Sequence, residues 1–245
     1  MKAKKTLVIA LVIVLSIVCL ASCTTGKELD HRALDDISTT GTYTTEKDTF
    51  TYRVIDDETI AIIDYVSKDF TLHAVTIPSV IDGKQVVAIG DQSFYYNAQI
   101  SSVVIPEGVE TIGEYAFTNC TYLESITIPS SVLTIGKSAF YGCTALNAVA
   151  FPNHLGEIGD HAFCSCTSLT TVSIPDSVVS VQTGAFRKCT GLTTVTIGSG
   201  IETIGDQAFY DCSALTSVTM PSEVENMGSN VFKNCSEDLV INEME

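Results

Sequence analysis

Nine cysteines carry most of the reactive chemistry in this 245-residue chain. In an exported protein that number invites a disulfide framework, and in a cytosolic one a metal site or a nucleophile. The spacing argues for something plainer. Cys120, Cys143, Cys166, Cys189, Cys212 and Cys235 follow one another every 23 residues. Such a column marks one position of a structural repeat, where a small buried thiol acts as a hydrophobe. Adjacent rungs of a stacked repeat lie within bridging distance, so pairing stays open at this point. Cys164 stands outside the column, at a position filled elsewhere by Tyr95, Thr118, Tyr141, Arg187, Tyr210 and Lys233, and is expected at the surface. Cys164-Ser165-Cys166 lacks zinc-ligand spacing, and His161 nearby has no third partner to complete a nucleophile and base. His31, His73 and His154 are isolated in sequence and expected in solvent. No phosphate-cradling glycine loop, metal-binding histidine pair or nucleophile elbow occurs. The expectation is a chain with no catalytic residues, no metal, no cofactor and no small-molecule substrate.

What must position these cysteines is the repeat itself. Phe94, Phe117, Phe140, Phe163, Phe186, Phe209 and Phe232 keep the same 23-residue interval, three residues ahead of the cysteine position, which Asn97 fills in the first unit. Ile100, Leu123, Leu146, Leu169, Leu192 and Leu215 form a third column. Within a unit, Leu123 to Ile128 alternates apolar and polar residues with β-branched types, the pattern of a half-buried strand, and Pro129 then ends it. All six prolines stand at this strand end. Ile135-Gly136 follows, with glycine where a tight turn is needed, and Ala139-Phe140 suits a short helical or 3₁₀ return. One unit cannot bury its apolar side, but stacked units turn each column into a continuous core ladder, with strands about 4.8 Å apart.

Cys-x-x-Leu-x-x-Ile-x-Ile-Pro followed by Ile-Gly-x-x-Ala-Phe resembles the BspA-type leucine-rich repeats of bacterial surface proteins, over residues 68–235. The resemblance implies a leucine-rich-repeat solenoid, one parallel-sheet strand and one return per unit, and a role in attachment to host matrix or to other cells. Gly198 in place of proline, Val181-Gln182 in place of Ile-Gly and Met227 in place of isoleucine are local departures. Five extra residues around Asp82-Gly83-Lys84 read as a longer loop. Phe50 to Val54 and Thr59 to Tyr65, joined at Asp56-Asp57-Glu58, read as a β-hairpin capping the N-terminal end within 49–67. Residues 236–245, with Leu239-Val240-Ile241, read as the C-terminal cap.

At the start, Lys2, Lys4 and Lys5 precede an apolar run from Leu7 to Leu20, the layout of an export signal. Leu20-Ala21-Ser22-Cys23 resembles the lipobox of bacterial lipoproteins. That implies a signal over 1–22, cleavage before Cys23 and diacylglycerol on its thiol, so that the membrane is a partner through the N-terminal lipid and the protein faces the cell exterior, or is held at the outer membrane where the host has one. Residues 23–48, rich in Ser, Thr and charge, read as a flexible tether. Losing 1–22 removes three of the 13 basic residues and none of the 29 acidic ones, which deepens the net charge from −16 to −19. A polyanion repels nucleic acid and anionic head groups, so neither is expected as a partner. The Asn119-Cys120-Thr121 and Asn234-Cys235-Ser236 sequons lie inside the repeat and are discounted for a bacterial protein.

Strand alternation turns Glu124, Ser125 and Thr127 and their equivalents outward, and the last two positions give chemically plain columns. One is Ser102, Ser125, Ala148, Thr171, Thr194, Ser217; the other is Val104, Thr127, Ala150, Ser173, Thr196, Thr219. Serine and threonine suit any exposed pleated surface, which accounts for most of the pattern. The functional reading makes Ser125, Thr127, Thr171, Ser173, Thr194, Thr196, Ser217 and Thr219 a platform for an extracellular protein or glycan. An ice-binding threonine array is a remoter reading. Tyr95, Tyr96, Tyr122, Tyr141 and Tyr210, in or near the turns, are the other contact candidates. The alternative function is a structural or assembly component of the envelope.

Overall fold

Stacking of the 23-residue units lets each coil contribute one row to each of several ladders. The computed structural model describes residues 39–68 and 70–244. The signal, Cys23 and most of the tether lie outside these residues. Strands in chain order are β1 (Thr40–Thr44), β2 (Asp48–Val54), β3 (Thr59–Ser67), β4 (His73–Thr76), β5 (Val80–Ile81), β6 (Lys84–Ile89), β7 (Ile100–Val104), β8 (Thr111–Ile112) and β9 (Ser125–Thr127). They continue as β10 (Thr134–Ile135), β11 (Glu157–Ile158), β12 (Thr171–Ile174), β13 (Ser180–Val181), β14 (Thr194–Ile197), β15 (Thr203–Ile204), β16 (Ser217–Met220), β17 (Asn226–Met227) and β18 (Val240–Glu243).

The result is a parallel β-solenoid of about eight turns. The longer strands form two sheets, β4-β7-β9 and β12-β14-β16-β18, all parallel, and β12, β14 and β16 keep strict 23-residue register, as in Thr171↔Thr194↔Ser217. A second, unanticipated ladder, made mostly of two-residue strands, runs β6-β8-β10-β11-β13-β15-β17. It carries the Ile135 column, and Ile89, Ile112, Ile135, Ile158, Val181 and Ile204 are all buried.

The returns are not helical; among the described residues there is no helix. Each return holds two residues of left-handed φ, at the Gln92 and Tyr96 positions and their equivalents down to Asn230 and Asn234, with φ from +52° to +71°. Only Gly142 and Gly184 in these columns are glycine. The N–H groups at the Gln92, Phe94 and Tyr96 positions donate to carbonyls of the next coil at 2.7–3.0 Å, while the intervening N–H groups donate to the carbonyl three residues earlier and close four-residue turns. A helix would direct N–H groups back along its own chain. Here the neighbouring coil supplies the acceptors, and those bonds offset a conformation that costs about 1–3 kcal/mol at a non-glycine residue.

Glycine in the Ile-Gly pair serves close approach rather than a positive φ. A Cβ on Gly136 would lie 2.8 Å from the carbonyl carbon of Gly113 and 2.9 Å from the N of Glu114.

The core is the phenylalanine column. Phe94 to Phe209 are buried and stack face to face at 4.8–5.3 Å, and Phe232 continues the stack at 5.5 Å, half-buried. At the other end Tyr65 extends it, 4.7 Å from Phe94, and Phe50 packs on Tyr65. Tyr65 and Phe50 belong to the antiparallel pair β2–β3, and β3 joins β6 in parallel, so the N-terminal strands continue the sheet. Thr40–Thr44, within the segment read as tether, is a strand paired with β2. The Asp82-Gly83 loop is a tight two-residue hairpin between β5 and β6, both residues at positive φ. At the far end β18 pairs with β16. No helix among the described residues is long and apolar enough to cross a membrane.

Candidate binding surface

Alternation along β12, β14 and β16 buries Val172, Val195 and Val218 and turns Thr171, Thr194 and Ser217 outward, with Ser173, Thr196 and Thr219 beside them. These six lie on adjacent strands of one sheet, in two parallel rows. The hydroxyls of Thr171, Ser173, Thr194, Thr196 and Thr219 have no hydrogen-bond partner among the described residues, so they remain available to water or a ligand. The strands carry no charged side chain, on a chain of net charge −16. A third outward row, Thr170, Thr193 and Thr216, at the position of Glu124, borders them as alternation and the 23-residue period imply. Its Thr193 and Thr216 hydroxyls donate to the preceding coil's carbonyl at 3.0 and 3.4 Å, fixing that margin.

Ser125 and Thr127 are exposed too, but belong to the other sheet, on β9. Between the sheets, the coil of Asn147 to Phe151 reduces to a single bridge, Ser125↔Ala148. Phe151 stands where Ile105, Ile128, Ile174 and Ile197 stand in other coils, and its ring meets Phe163 edge-on at 5.4 Å. The eight predicted residues thus fall into a group of six and a pair, separated by Ala148 and Ala150.

The cysteine column is closed to chemistry. Cys120, Cys143, Cys166, Cys189 and Cys212 are buried, and each of the six thiols donates to the phenylalanine carbonyl 26 residues earlier, at 3.1–3.3 Å. All are free thiols. Burial pushes Cys120 up to about 12 and raises Cys143, Cys166 and Cys189 well above the ordinary thiol range. Thiolate, the reactive form, is therefore suppressed.

Two sequence expectations are corrected. Cys164 is buried, not exposed: like Thr118 at the same position it is a small side chain in a column whose larger members, Tyr95 and Tyr141, reach solvent, and burial raises its thiol despite Arg187 and Lys188 nearby. His73 is buried rather than solvated: Asp48 and Tyr65 hold it at hydrogen-bonding distance. His154 is exposed as expected, and His161 lies against Gly184.

Tyr95, Tyr96, Tyr122 and Tyr141 are exposed; Tyr95 and Tyr96 meet edge-on at 4.5 Å, and Tyr210 lies under the Arg187 guanidinium at 5.1 Å. Two open depressions, of about 590 and 390 Å³, lie at the C-terminal coils, one bordered by Glu223 and Glu225 and the other by Met220 at the end of β16, Met227 and Ile241. Among the described residues no cluster of His, Cys, Asp or Glu could hold a metal ion.

Comparison with known proteins agrees with this geometry. The profile of the BspA type leucine rich repeat region matches in six copies, over residues 87–178 and 111–239. A crystal structure of the T. pallidum leucine rich repeat protein is 35% identical, with 78% of this chain and 88% of that one covered and a TM-score of 0.74. A leucine rich cell surface protein from Faecalibacterium prausnitzii A2-165 is 26% identical, covering 84% and 76%, with a TM-score of 0.54. No curated protein matches.

Proposed function

The chain belongs to the family of BspA-type leucine-rich repeat proteins, and from that premise we propose that it is a non-catalytic binding module, displayed on the bacterial cell surface, that recognises a protein or glycan through its solenoid. The observation that carries the reading is the uncharged hydroxyl face of β12, β14 and β16 on an otherwise strongly acidic chain. A neutral pleated platform with free donors and acceptors suits sugar hydroxyls or the polar surface of another protein, and repels neither by charge. The cell-surface description of the F. prausnitzii relative supports the location. The lipobox-like Leu20-Ala21-Ser22-Cys23 supports lipid anchoring at Cys23, with the polypeptide held in water. The net charge argues against nucleic acid as a partner.

Two arrays test the reading: purified extracellular-matrix proteins and host glycans on one, and the cell's own envelope polymers on the other. Saturable binding to the first supports recognition of a host or neighbouring cell. Binding confined to the second would favour an envelope-assembly role. Anchoring is tested separately, by mass spectrometry of the protein from its native membrane: a diacylglycerol adduct on Cys23 is expected, and an unmodified cysteine or an intact 1–22 segment would reject it.

A further inference from the structure

One buried polar cluster has no part in the binding surface. Asp48 on β2 and His73 on β4 are each 8% exposed, and Tyr65 on β3 is 5% exposed. We propose that Asp48, His73 and Tyr65 form a pH-sensitive latch, which holds the N-terminal β2–β3 pair on the first coil while His73 is charged and loosens it when His73 loses its proton.

The geometry dictates the charge. Nδ1 of His73 lies 2.9 Å from the carbonyl of Thr71, and Nε2 lies 2.9 Å from Oδ1 of Asp48. Both partners are acceptors, so both ring nitrogens must donate, and only the imidazolium does that. The Tyr65 hydroxyl donates to the same carboxylate oxygen at 2.7 Å and lies 3.2 Å from Nε2. One carboxylate on β2 thereby ties β3 to β4. When His73 deprotonates, Nδ1 keeps its proton for Thr71 and Nε2 presents a lone pair to Asp48. The Tyr65 hydroxyl can then serve the carboxylate or Nε2, but not both.

The charged and titratable groups facing His73 come from every element against it. Asp48 and Lys47 approach from β2 and the residue before it, Tyr65 from β3, while β7 offers only the Gln99 carbonyl ahead of it, to the His73 N–H, and the apolar Ile100. Cys120, whose thiol is bonded to the Phe94 carbonyl, adds only a minor electrostatic influence on Tyr65. Burial lowers the tendency of His73 to hold its proton, but the Thr71 carbonyl and Asp48 outweigh it and the net direction is upward. A group whose folded pKa is raised contributes stability that is complete below the unfolded value, about 6.5, and is lost as pH rises through the folded value. The latch is therefore firm in acid and slack in alkali. Tyr65 is also the ring that closes the aromatic stack over Phe94, so slackening uncovers Phe94 and the edge of β6.

Hydrogen exchange on the full chain, corrected for intrinsic base catalysis, tests this between pH 5.5 and 8.5. Amides of Phe50, Tyr52, Ile60 and Ile62 report the cap, and those of Val195 and Val218 report the distant coils. Cap protection should fall as pH passes the His73 titration followed by NMR, with the distant amides unchanged. His73→Gln and Asp48→Asn should each flatten that dependence, and His73→Gln should open the cap about tenfold more at pH 5.5, the consequence of roughly 1.4 kcal/mol lost with a buried charged partner. Cap protection independent of pH in the parent, a pH response unchanged in both variants, or equal loss in the distant coils would overturn the proposal.

Discussion

Truncation of one mid-column ring shows how much of the solenoid rests on the aromatic ladder. Phe163 is fully buried, 5.0 Å from Phe140 and 5.3 Å from Phe186, with Phe151 edge-on at 5.4 Å. Phe→Ala in a core costs about 3–5 kcal/mol, and each aromatic pair contributes about 0.5–1.5 kcal/mol beyond area burial. The contributions overlap, and the neighbouring coils are held in hydrogen-bonded register and so relax little, which places Phe163→Ala near the top of that range, about 4–5 kcal/mol. For a folded region of this size that is a fall in Tm of roughly 10–15 °C. Circular dichroism through urea and thermal unfolding measures it, with Thr194→Ala as the exposed comparator, expected within about 0.5 kcal/mol of the parent. A Phe163→Ala loss below about 1.5 kcal/mol, or one matched by Thr194→Ala, would refute the assignment of the column as the main stabilising ladder.

Other outcomes follow from the same ladders. Gly136→Ala should destabilise by about 1–3 kcal/mol, since its Cβ would meet backbone of the preceding coil rather than a movable side chain; urea midpoints check this, and a neutral effect would mean the coils are not in close contact there. A thiol reagent at pH 8 should leave Cys143, Cys166 and Cys189 unmodified in the native protein and label them on unfolding, with half-buried Cys235 the fastest of the column; prompt native labelling of Cys166 would contradict the buried, neutral thiol ladder. The Tyr52 hydroxyl donates to Asp82 at 2.5 Å, and this bond, with burial, pushes its ionisation up to about 12. Unfolded tyrosine ionises near 10, so this contribution to stability is whole below about that pH and is lost from there to about 12. Absorbance titration of Tyr52→Phe should lack one late-ionising phenol, and an unchanged profile would reject the pairing.

The ladders are legible in the sequence because the chain repeats itself: columns at 23-residue intervals identify core, strand and outward rows from residue types alone. The two-residue strands around Ile135 are not legible, because a pair of residues has no periodicity to read. The returns mislead for a physical reason. Ala139-Phe140 suits a helical turn locally, but bonds to the next coil outweigh local propensity and hold residues such as Tyr115, His161 and Lys188 at positive φ. Cys164 is easily misplaced because its column mixes Tyr, Thr, Arg and Lys and so carries no burial signal. Tyr65 and His73 lie at the edge of the repeat, where their partners Phe94 and Asp48 stand at separations no period announces. The hydroxyl rows face outward as their alternation implies, and the break between the sheets falls at the coil where Ala148, Ala150 and Phe151 replace the usual hydroxyl and isoleucine residues.

The most direct test of the account is a glycan and matrix-protein array probed in parallel with three forms of the chain: the parent, Thr171→Asp/Thr194→Asp/Ser217→Asp, and Tyr95→Ser/Tyr96→Ser/Tyr122→Ser, each first shown to melt within a few degrees of the others. The account predicts a ligand bound by the parent and by the tyrosine variant, and weakened at least about tenfold by charge on the hydroxyl face, the equivalent of roughly 1.4 kcal/mol. Binding that survives the aspartate substitutions and disappears with the tyrosines would contradict it.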